Sequence, residues 1–189
     1  MNKIMILYGS SEGQTAKIAN HIARVIRDKG YSVDAIDGIS LPAHFSLEPY
    51  TAAIIGASMH AGGYQKYIQK FVMCHHEALE RIPTAFFSVS LTEAYPNSEE
   101  KVQLDDLIAA FQQETGWHPR NVASFAGALA YSKYGFLKRL LMKRIAQQAG
   151  GETDTSHDYE YTDWAAVTRF AENFVAMLRP APKLSVVGS

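Results

Sequence analysis

Gly9-Ser10-Ser11-Glu12-Gly13-Gln14-Thr15 is the stretch of sequence that decides the fold of this chain. It follows the short apolar run 4–8 and precedes a stretch whose apolar residues recur at helical spacing, a pattern that indicates strand, turn and helix. The first N–H groups of a helix lack partners within the helix and carry positive partial charge. Ser and Thr hydroxyls add donors, and Gly13 permits close approach of the backbone. The turn therefore predicts a phosphate site.

Two further readings of this turn follow from its composition. Ser10 or Ser11 would serve as an ordinary N-cap, and Ser11 with Gln14 has the spacing of a capping box, so a capped helix without a ligand is the alternative. No Lys or Arg occurs between Lys3 and Lys17, and neither the Walker pattern nor GxGxxG is present. A bound phosphate would thus be held by neutral donors rather than by a P-loop lysine.

Length and composition limit the class of protein. The chain has 189 residues, 47% hydrophobic and 20% charged, with a formal net charge of −1. These values predict a single globular domain over 1–179 with a loose tail over 180–189, and they do not favour a nucleic-acid binder. One cysteine, Cys74, allows no internal disulfide, and its helical context predicts a buried packing residue. Neither a signal peptide nor a membrane-spanning run is expected, and the expected location is the cytoplasm.

Strand-like and helix-like segments alternate along the chain. The predicted strands are 4–8, 32–37, 52–57, 84–90 and 122–130. The predicted helices are 14–29, 65–81, 99–115 and 163–178, with a brief or missing helix in the connection 38–50. Such alternation implies a parallel sheet with helices on both faces. With a phosphate turn after the first strand, it predicts an α/β, flavodoxin-like, doubly wound five-stranded sheet of order 2-1-3-4-5.

In that strand order, ligands bind at the carboxyl ends of strands one and three. The loops there are 9–15, 57–64 and 88–97, all rich in small polar residues, and they suit a planar heterocycle. Tyr64 or Tyr95 would stack on such a ring, although plain packing is as good an explanation for either. These three loops form one edge of the sheet, which we call the rim. His60 lies in the second of them and is a weak candidate for a catalytic base. No metal-ligand cluster is found in the sequence.

An insert of about thirty residues, 131–162, separates strand five from the last helix. From Thr115 to Gly151 the chain carries six Lys or Arg residues and no acidic residue. Residues 136–145 indicate a basic amphipathic helix, for which three uses are open. The helix would lie on an anionic membrane surface, bind an apolar substrate that carries carboxylates, or pack on its own domain with a solvated charged face.

Several motifs give the chain a resemblance to a known family. They are Glu12-Gly13-Gln14-Thr15, Ile55-Gly56-Ala57-Ser58, Phe87-Ser88-Val89-x-Leu91, Ala126-Gly127-Ala128-Leu129 with Tyr131 and Tyr134, and Gly150-Gly151-Glu152-Thr153-Asp154-Thr155 followed by Tyr161-Thr162-Asp163-Trp164. Over residues 3–178 the chain resembles the menaquinone-dependent protoporphyrinogen IX dehydrogenases, the flavodoxin-type protoporphyrinogen oxidases. The last two motifs, which flank the insert, are the specific ones.

The resemblance implies FMN as cofactor, with its phosphate in the first loop. It implies oxidation of protoporphyrinogen IX to protoporphyrin IX, with electrons passed through FMN to a membrane quinone such as menaquinone. It also implies peripheral association with the inner face of the cell membrane. The predicted cofactor-binding residues are Ser10, Ser11, Glu12, Gly13, Gln14, Thr15, Ser58, Phe86, Phe87, Ser88, Val89, Ser90, Leu91 and Thr153.

The insert is the predicted site of substrate or membrane contact. The residues expected to make this contact are Tyr131, Lys133, Tyr134, Leu137, Arg139, Leu140, Leu141 and Lys143. Its apolar and aromatic side chains would receive the macrocycle, and its basic side chains would pair with the propionates. The alternatives to this enzyme are a flavodoxin-type electron carrier, a quinone reductase with a nicotinamide donor, and a scaffold that has lost its cofactor.

Overall fold

The protein is described by a computed structural model over residues 3–42, 44–59, 62–94, 99–129, 131–133 and 154–178, with the backbone alone at 99–103 and 133. Within these ranges, five strands form one parallel sheet of order β2-β1-β3-β4-β5. The strands are β1 (Lys3–Gly9), β2 (Ser32–Asp37), β3 (Ala52–Ser58), β4 (Thr84–Ser90) and β5 (Asn121–Ala126). The predicted strand order is confirmed, and the order reverses between β1 and β3.

Helices cover both faces of the sheet, as the alternation of segments predicts. They are α1 (Gln14–Asp28), α2 (Lys66–Glu80), α3 (Glu99–Thr115) and α4 (Trp164–Leu178). The apolar stripes of α1 and α4 share one buried core with one face of the sheet. The stripes of α2 and α3, with the fully buried Trp117, form the second core on the opposite face. Between β2 and β3 a short 3-10 turn at Gly38–Ser40 replaces a crossover helix, as expected from the short connection.

The fifth strand is shorter than the sequence indicated. It ends at Ala126, because the chain then leaves the parallel sheet and forms β6 (Ala128–Leu129). This strand pairs in antiparallel fashion with β7 (Tyr159–Glu160), which lies on the far side of the insert. The small β6–β7 ladder therefore joins the two ends of the insert, and the predicted strand over 122–130 is wrong beyond Ala126.

Two single-residue expectations can be compared with the structure. Cys74 lies on α2 and is exposed, so the prediction that it is a buried packing residue is wrong. Tyr64 is only 7% exposed and meets Phe86 and Phe111 edge-on at ring-centroid distances of 5.5 and 5.2 Å. Its hydroxyl donates to Ser88 Oγ at 2.9 Å. Tyr64 is therefore a core residue, which favours the packing explanation over stacking on a ligand.

The buried phenol of Tyr64 makes stability depend on alkaline pH. Burial raises the pKa of Tyr64 from its usual 10 to about 12. A group whose pKa is raised by folding stabilises the folded protein. This contribution is complete below the pKa that the group has in the unfolded chain, and it is lost as the pH rises through the pKa in the folded protein. Between pH 9.5 and pH 12 the wild type should lose about 2 kcal/mol more unfolding free energy than Tyr64→Phe. Urea denaturation of both proteins across this range is the measurement, and parallel pH profiles would contradict the assignment.

Candidate functional site

Helix α1 begins with an open N-terminus at the carboxyl end of β1. Gly13 is its N-cap residue and has φ 99° and ψ −11°, the left-handed region that glycine adopts without strain. Gly13 has no side chain with which to cap the helix. Gln14 Nε2 donates instead to Thr162 Oγ1 at 2.9 Å, so the capping box between Ser11 and Gln14, which was the alternative interpretation of this turn, is not formed. The first N–H groups of α1 therefore remain directed at the turn.

The turn before α1 supplies further neutral donors. The Gly13 N–H donates to Ser10 Oγ at 3.0 Å, which leaves the Ser10 hydroxyl proton available to a ligand. Thr15 is 1% exposed at the base of the turn, and no acidic residue lies in the first turn of α1. A left-handed glycine, two hydroxyls and open helix N–H groups together fit a phosphate group.

Gln65 is a residue of the site that the sequence analysis did not single out. It stands just before α2 and its side-chain Nε2 donates to Ser11 Oγ at 3.2 Å and to Ser58 Oγ. Ser58 ends β3 and is 7% exposed. The amide of Gln65 thus joins the loops that follow β1 and β3, the two strands at which the order reverses. Its position directly after the predicted loop 57–64, which ends in Gly62-Gly63-Tyr64, was the available signal.

The predicted cofactor segment on β4 divides into core and rim. Phe86 and Phe87 are completely buried on opposite faces of the sheet, and Val89 is 3% exposed. Ser88 is also fully buried, where it receives the Tyr64 hydrogen bond. The cause is the β4 position in the sheet, with a strand on each side and helices on both faces. These side chains therefore do not face the rim, which is reached only at Ser90 and Leu91.

A third segment, after β7, is tied to the first turn of α1. Thr162 Oγ1 accepts from Gln14 Nε2 and donates to the Ala126 carbonyl at 2.7 Å, both inside the protein. One turn further along α1, Lys17 Nζ forms an ion pair with Glu160 Oε2 at 2.9 Å. The side chains of Lys17 and Glu160 are well exposed, so the buried Thr162 bonds are the stronger constraint. Together they fix the end of the insert beside the phosphate turn.

Replacing the Thr162 hydroxyl should destabilise this junction. Thr162→Val keeps the shape but removes a buried acceptor of Gln14 Nε2 and a buried donor to the Ala126 carbonyl. We expect a loss of about 1 to 3 kcal/mol in unfolding free energy, measured by chemical denaturation. Thr162→Ser retains the hydroxyl and should lose less than half as much. Equal losses in the two variants would show that the methyl packing, not the hydroxyl, matters.

Tyr131 is a buried residue at the beginning of the insert. It is 0% exposed and packs with Leu129, Leu91, Tyr159 and Tyr161 in a small satellite core beneath the β6–β7 ladder. Among the described residues the Tyr131 side chain is thus enclosed by packing, and its contact with a substrate or a lipid surface stays a prediction. The residue anchors the beginning of the insert.

Several predicted site residues lie outside the described residues. They are His60, Tyr95, Tyr134, Leu137, Arg139, Leu140, Leu141, Lys143 and Thr153. Lys133 is described by its backbone alone, in a short 3-10 turn at Tyr131–Lys133. Of the predicted cofactor turn, the structure brings together Ser10, Ser11, Gly13, Gln14 and Thr15, with Ser58 beside them.

A parallel sheet of order 2-1-3-4-5, with an open helix N-terminus at its switch point, defines a protein of the flavodoxin class. A flavodoxin domain family model matches residues 5–156. The crystal structure of oxidised Flavodoxin 1 from Bacillus cereus superposes with a TM-score of 0.55 at 21% identity, covering 94% of this chain and 100% of that one, which shows the fold.

Sequence comparison gives a narrower family. The chain is 35% identical to protoporphyrinogen IX dehydrogenase (quinone) of Escherichia coli strain K12, over 96% of this chain and 99% of that protein. It is 36% identical to the protein of the same name from Leishmania major, over 98% of this chain and 81% of that one. The chain belongs to the family of quinone-dependent protoporphyrinogen IX dehydrogenases.

Proposed function

We propose that the protein oxidises protoporphyrinogen IX to protoporphyrin IX with FMN as cofactor and passes the electrons to a quinone. The observation that carries this proposal is the 35% identity with a protoporphyrinogen IX dehydrogenase (quinone) along 99% of the length of that protein. The open N-terminus of α1 at the strand-order switch supports it independently, because this position suits the phosphate of a flavin nucleotide.

The residues of the first loop hold the phosphate. The backbone N–H groups at the start of α1 and the hydroxyls of Ser10 and Thr15 donate to its oxygens, and the left-handed Gly13 keeps side-chain bulk out of the way. The rim residues Ser90 and Leu91 border the position of the ring. FMN, when bound, supplies the two-electron acceptor that a porphyrinogen oxidation requires, while the protein positions the macrocycle against it.

The insert contacts the macrocycle or the membrane through Lys133, Tyr134, Leu137, Arg139, Leu140, Leu141 and Lys143. Support comes from the charge pattern, with six basic and no acidic residues from Thr115 to Gly151. Further support comes from the position of the two ends of the insert. Thr162, at its end, is bonded to Gln14 beside the cofactor turn, and the β6–β7 ladder holds its beginning next to its end. Basic side chains pair with propionates or with anionic lipid headgroups, and the protein works at the inner membrane surface where its quinone resides. Helices within the described ranges lack the length and apolar character needed to cross a membrane.

An anaerobic assay tests the function. FMN-loaded protein is mixed with protoporphyrinogen IX, with and without a menaquinone analogue, and porphyrin fluorescence is followed. We expect fluorescence that depends on both the protein and the quinone. A flavin-loaded protein that forms no porphyrin would reject the function and favour an electron carrier.

Neutralising Lys133, Arg139 and Lys143 together should raise KM for the porphyrinogen about tenfold with FMN retained, and an unchanged KM would remove these residues from the substrate site.

A further inference from the structure

The side chain of Gln65 occupies a fixed position between two loops of the cofactor site. Its backbone is the N-cap of α2, where its carbonyl accepts from the N–H groups of Ile68 and Gln69 at 2.9 and 3.1 Å. Its Nε2 donates to Ser11 Oγ and Ser58 Oγ. The side chain is therefore held at both ends, which makes it a rigid part of the site rather than a mobile surface amide.

Gly9, the last residue of β1, leaves space for the Gln65 amide because it has no side chain. A Cβ atom at Gly9 would lie 2.7 Å from Gln65 Oε1 and 2.8 Å from Ile68 Cγ1, closer than real contacts allow. The glycine at this position lets the Gln65 amide pack against the end of β1 without being displaced. The carbonyl end of the amide consequently lies beside the turn that begins at Ser10.

Gln65 Oε1 is a buried acceptor that has no hydrogen-bond donor among the described residues. Burying an amide oxygen without a donor is costly, and most such oxygens in proteins are satisfied. The two serine hydroxyls beside it already accept from the Nε2 of the same amide. Gly9 lies beside this oxygen, and the described residues supply no donor to it, so a bound ligand is a suitable source of the donor.

We propose that Gln65 Oε1 accepts a hydrogen bond from a hydroxyl of the ribityl chain of the flavin; this rests on FMN being the cofactor. A carbonyl oxygen repels a phosphate, so its partner is a neutral donor. The amide lies between Ser11 of the proposed phosphate turn and Ser58 at the end of β3, so a ribityl chain that led from this turn toward β3 would pass it. The hydroxyls of the ribityl chain are the neutral donors on that path. Gln65 is thereby a binding residue for the chain of the cofactor, distinct from the groups that hold its phosphate.

Flavin titrations of the flavin-free full-length protein test this assignment with three ligands. FMN carries phosphate and ribityl chain, riboflavin only the chain, and lumiflavin neither. Gln65→Leu should weaken FMN and riboflavin about tenfold each, the loss of one hydrogen bond, and leave lumiflavin unchanged. The matched control is Gln69→Leu, the same replacement one helical turn along α2, where Gln69 Nε2 reaches only Glu114 Oε2 at 3.5 Å. Its three affinities should equal those of the wild type.

Gln65→Glu separates an acceptor role from a merely structural one. The carboxylate keeps an acceptor for the ribityl hydroxyl, so riboflavin affinity should stay within about threefold of wild type. FMN affinity should fall in a salt-dependent way, because the new charge lies near the phosphate. Unfolding midpoints of the flavin-free variants show whether each is folded.

The outcomes distinguish this inference from the proposed function. Unchanged riboflavin affinity in a folded Gln65→Leu variant overturns the ribityl contact and leaves FMN binding intact. An equal loss for lumiflavin overturns it too, since it would mean that Gln65 acts on the ring or on the shape of the site. A wild-type protein that binds no flavin overturns both.

Discussion

Flavin-free protein carrying Ser11→Asp is expected to bind FMN about 100-fold more weakly than the wild type, while its riboflavin affinity changes by less than about threefold. Ser11 is exposed in the turn that precedes the open N-terminus of α1. A carboxylate about 5 Å from a phosphate in a partly screened site repels it by about 3 kcal/mol per unit charge, which corresponds to this loss. The same carboxylate is favourable toward the helix N-terminus, so the flavin-free protein should unfold at an equal or higher temperature.

Ser11→Asn is the matched control for this charge. Asparagine has the size of aspartate and can accept the Gln65 hydrogen bond, so its FMN affinity should fall less than about fivefold. Fluorescence titrations at 0.05 and 1 M salt complete the test, because salt should recover part of the loss in the aspartate variant alone. A comparable loss of riboflavin affinity would place the phosphate elsewhere than at the start of α1.

Gly56→Ala should be the most destabilising methyl addition in the chain's sheet. Gly56 in β3 pairs with Phe87 in β4, and the Phe87 ring lies across the glycine. A Cβ at Gly56 would lie 2.0 Å from Phe87 Cζ and within 2.6 Å of two further ring atoms. Phe87 is completely buried between the sheet and the helices, so the ring has no free space to enter. We expect a loss of about 3 kcal/mol or more in unfolding free energy, at the upper end for overpacking.

Two controls establish the cause of this loss. Gly63→Ala adds the same methyl group where no atom lies within 4 Å, so the unfolding free energy should change by less than about 0.5 kcal/mol. Combining Gly56→Ala with Phe87→Leu should cost less than the sum of the two single changes, because the smaller side chain vacates the overlap. Chemical denaturation measures all four proteins. Additive losses would mean that the ring does not block this position.

Much of the fold could be predicted because its determinants are local. The run 4–8, the hydroxyl-rich turn and the apolar spacing after it are contiguous in sequence, and they correctly located β1, the turn and α1. Parallel strands then leave few possible arrangements, since crossovers are right-handed. The proposed phosphate site follows from the same argument, because open helix N–H groups depend only on where a helix starts.

Other features could not be predicted, because the partners of a side chain are distant from it in the sequence. Phe86 and Phe87 are both among the predicted cofactor-binding residues, yet alternation along a fully covered strand buries one on each face. Tyr131 lies in a basic, aromatic segment, yet it packs with Leu91 and with Tyr159 and Tyr161, which are distant from it in the sequence. Ser11 and Gln14 have capping-box spacing, yet Gln14 turns to Thr162, which is 148 residues away.

By itself, therefore, the sequence determined the order of strands and helices, the strand-order switch and the turn that faces it, since short-range spacing encodes each of these. Only the tertiary structure decided which polar groups meet there. The Gln65 bridge from Ser11 to Ser58 and the Thr162 bridge to Gln14 join segments that are distant in the chain. Hydrogen-bond partners of this kind are chosen by packing, because a buried polar group takes whichever donor or acceptor the assembled sheet and helices bring within reach.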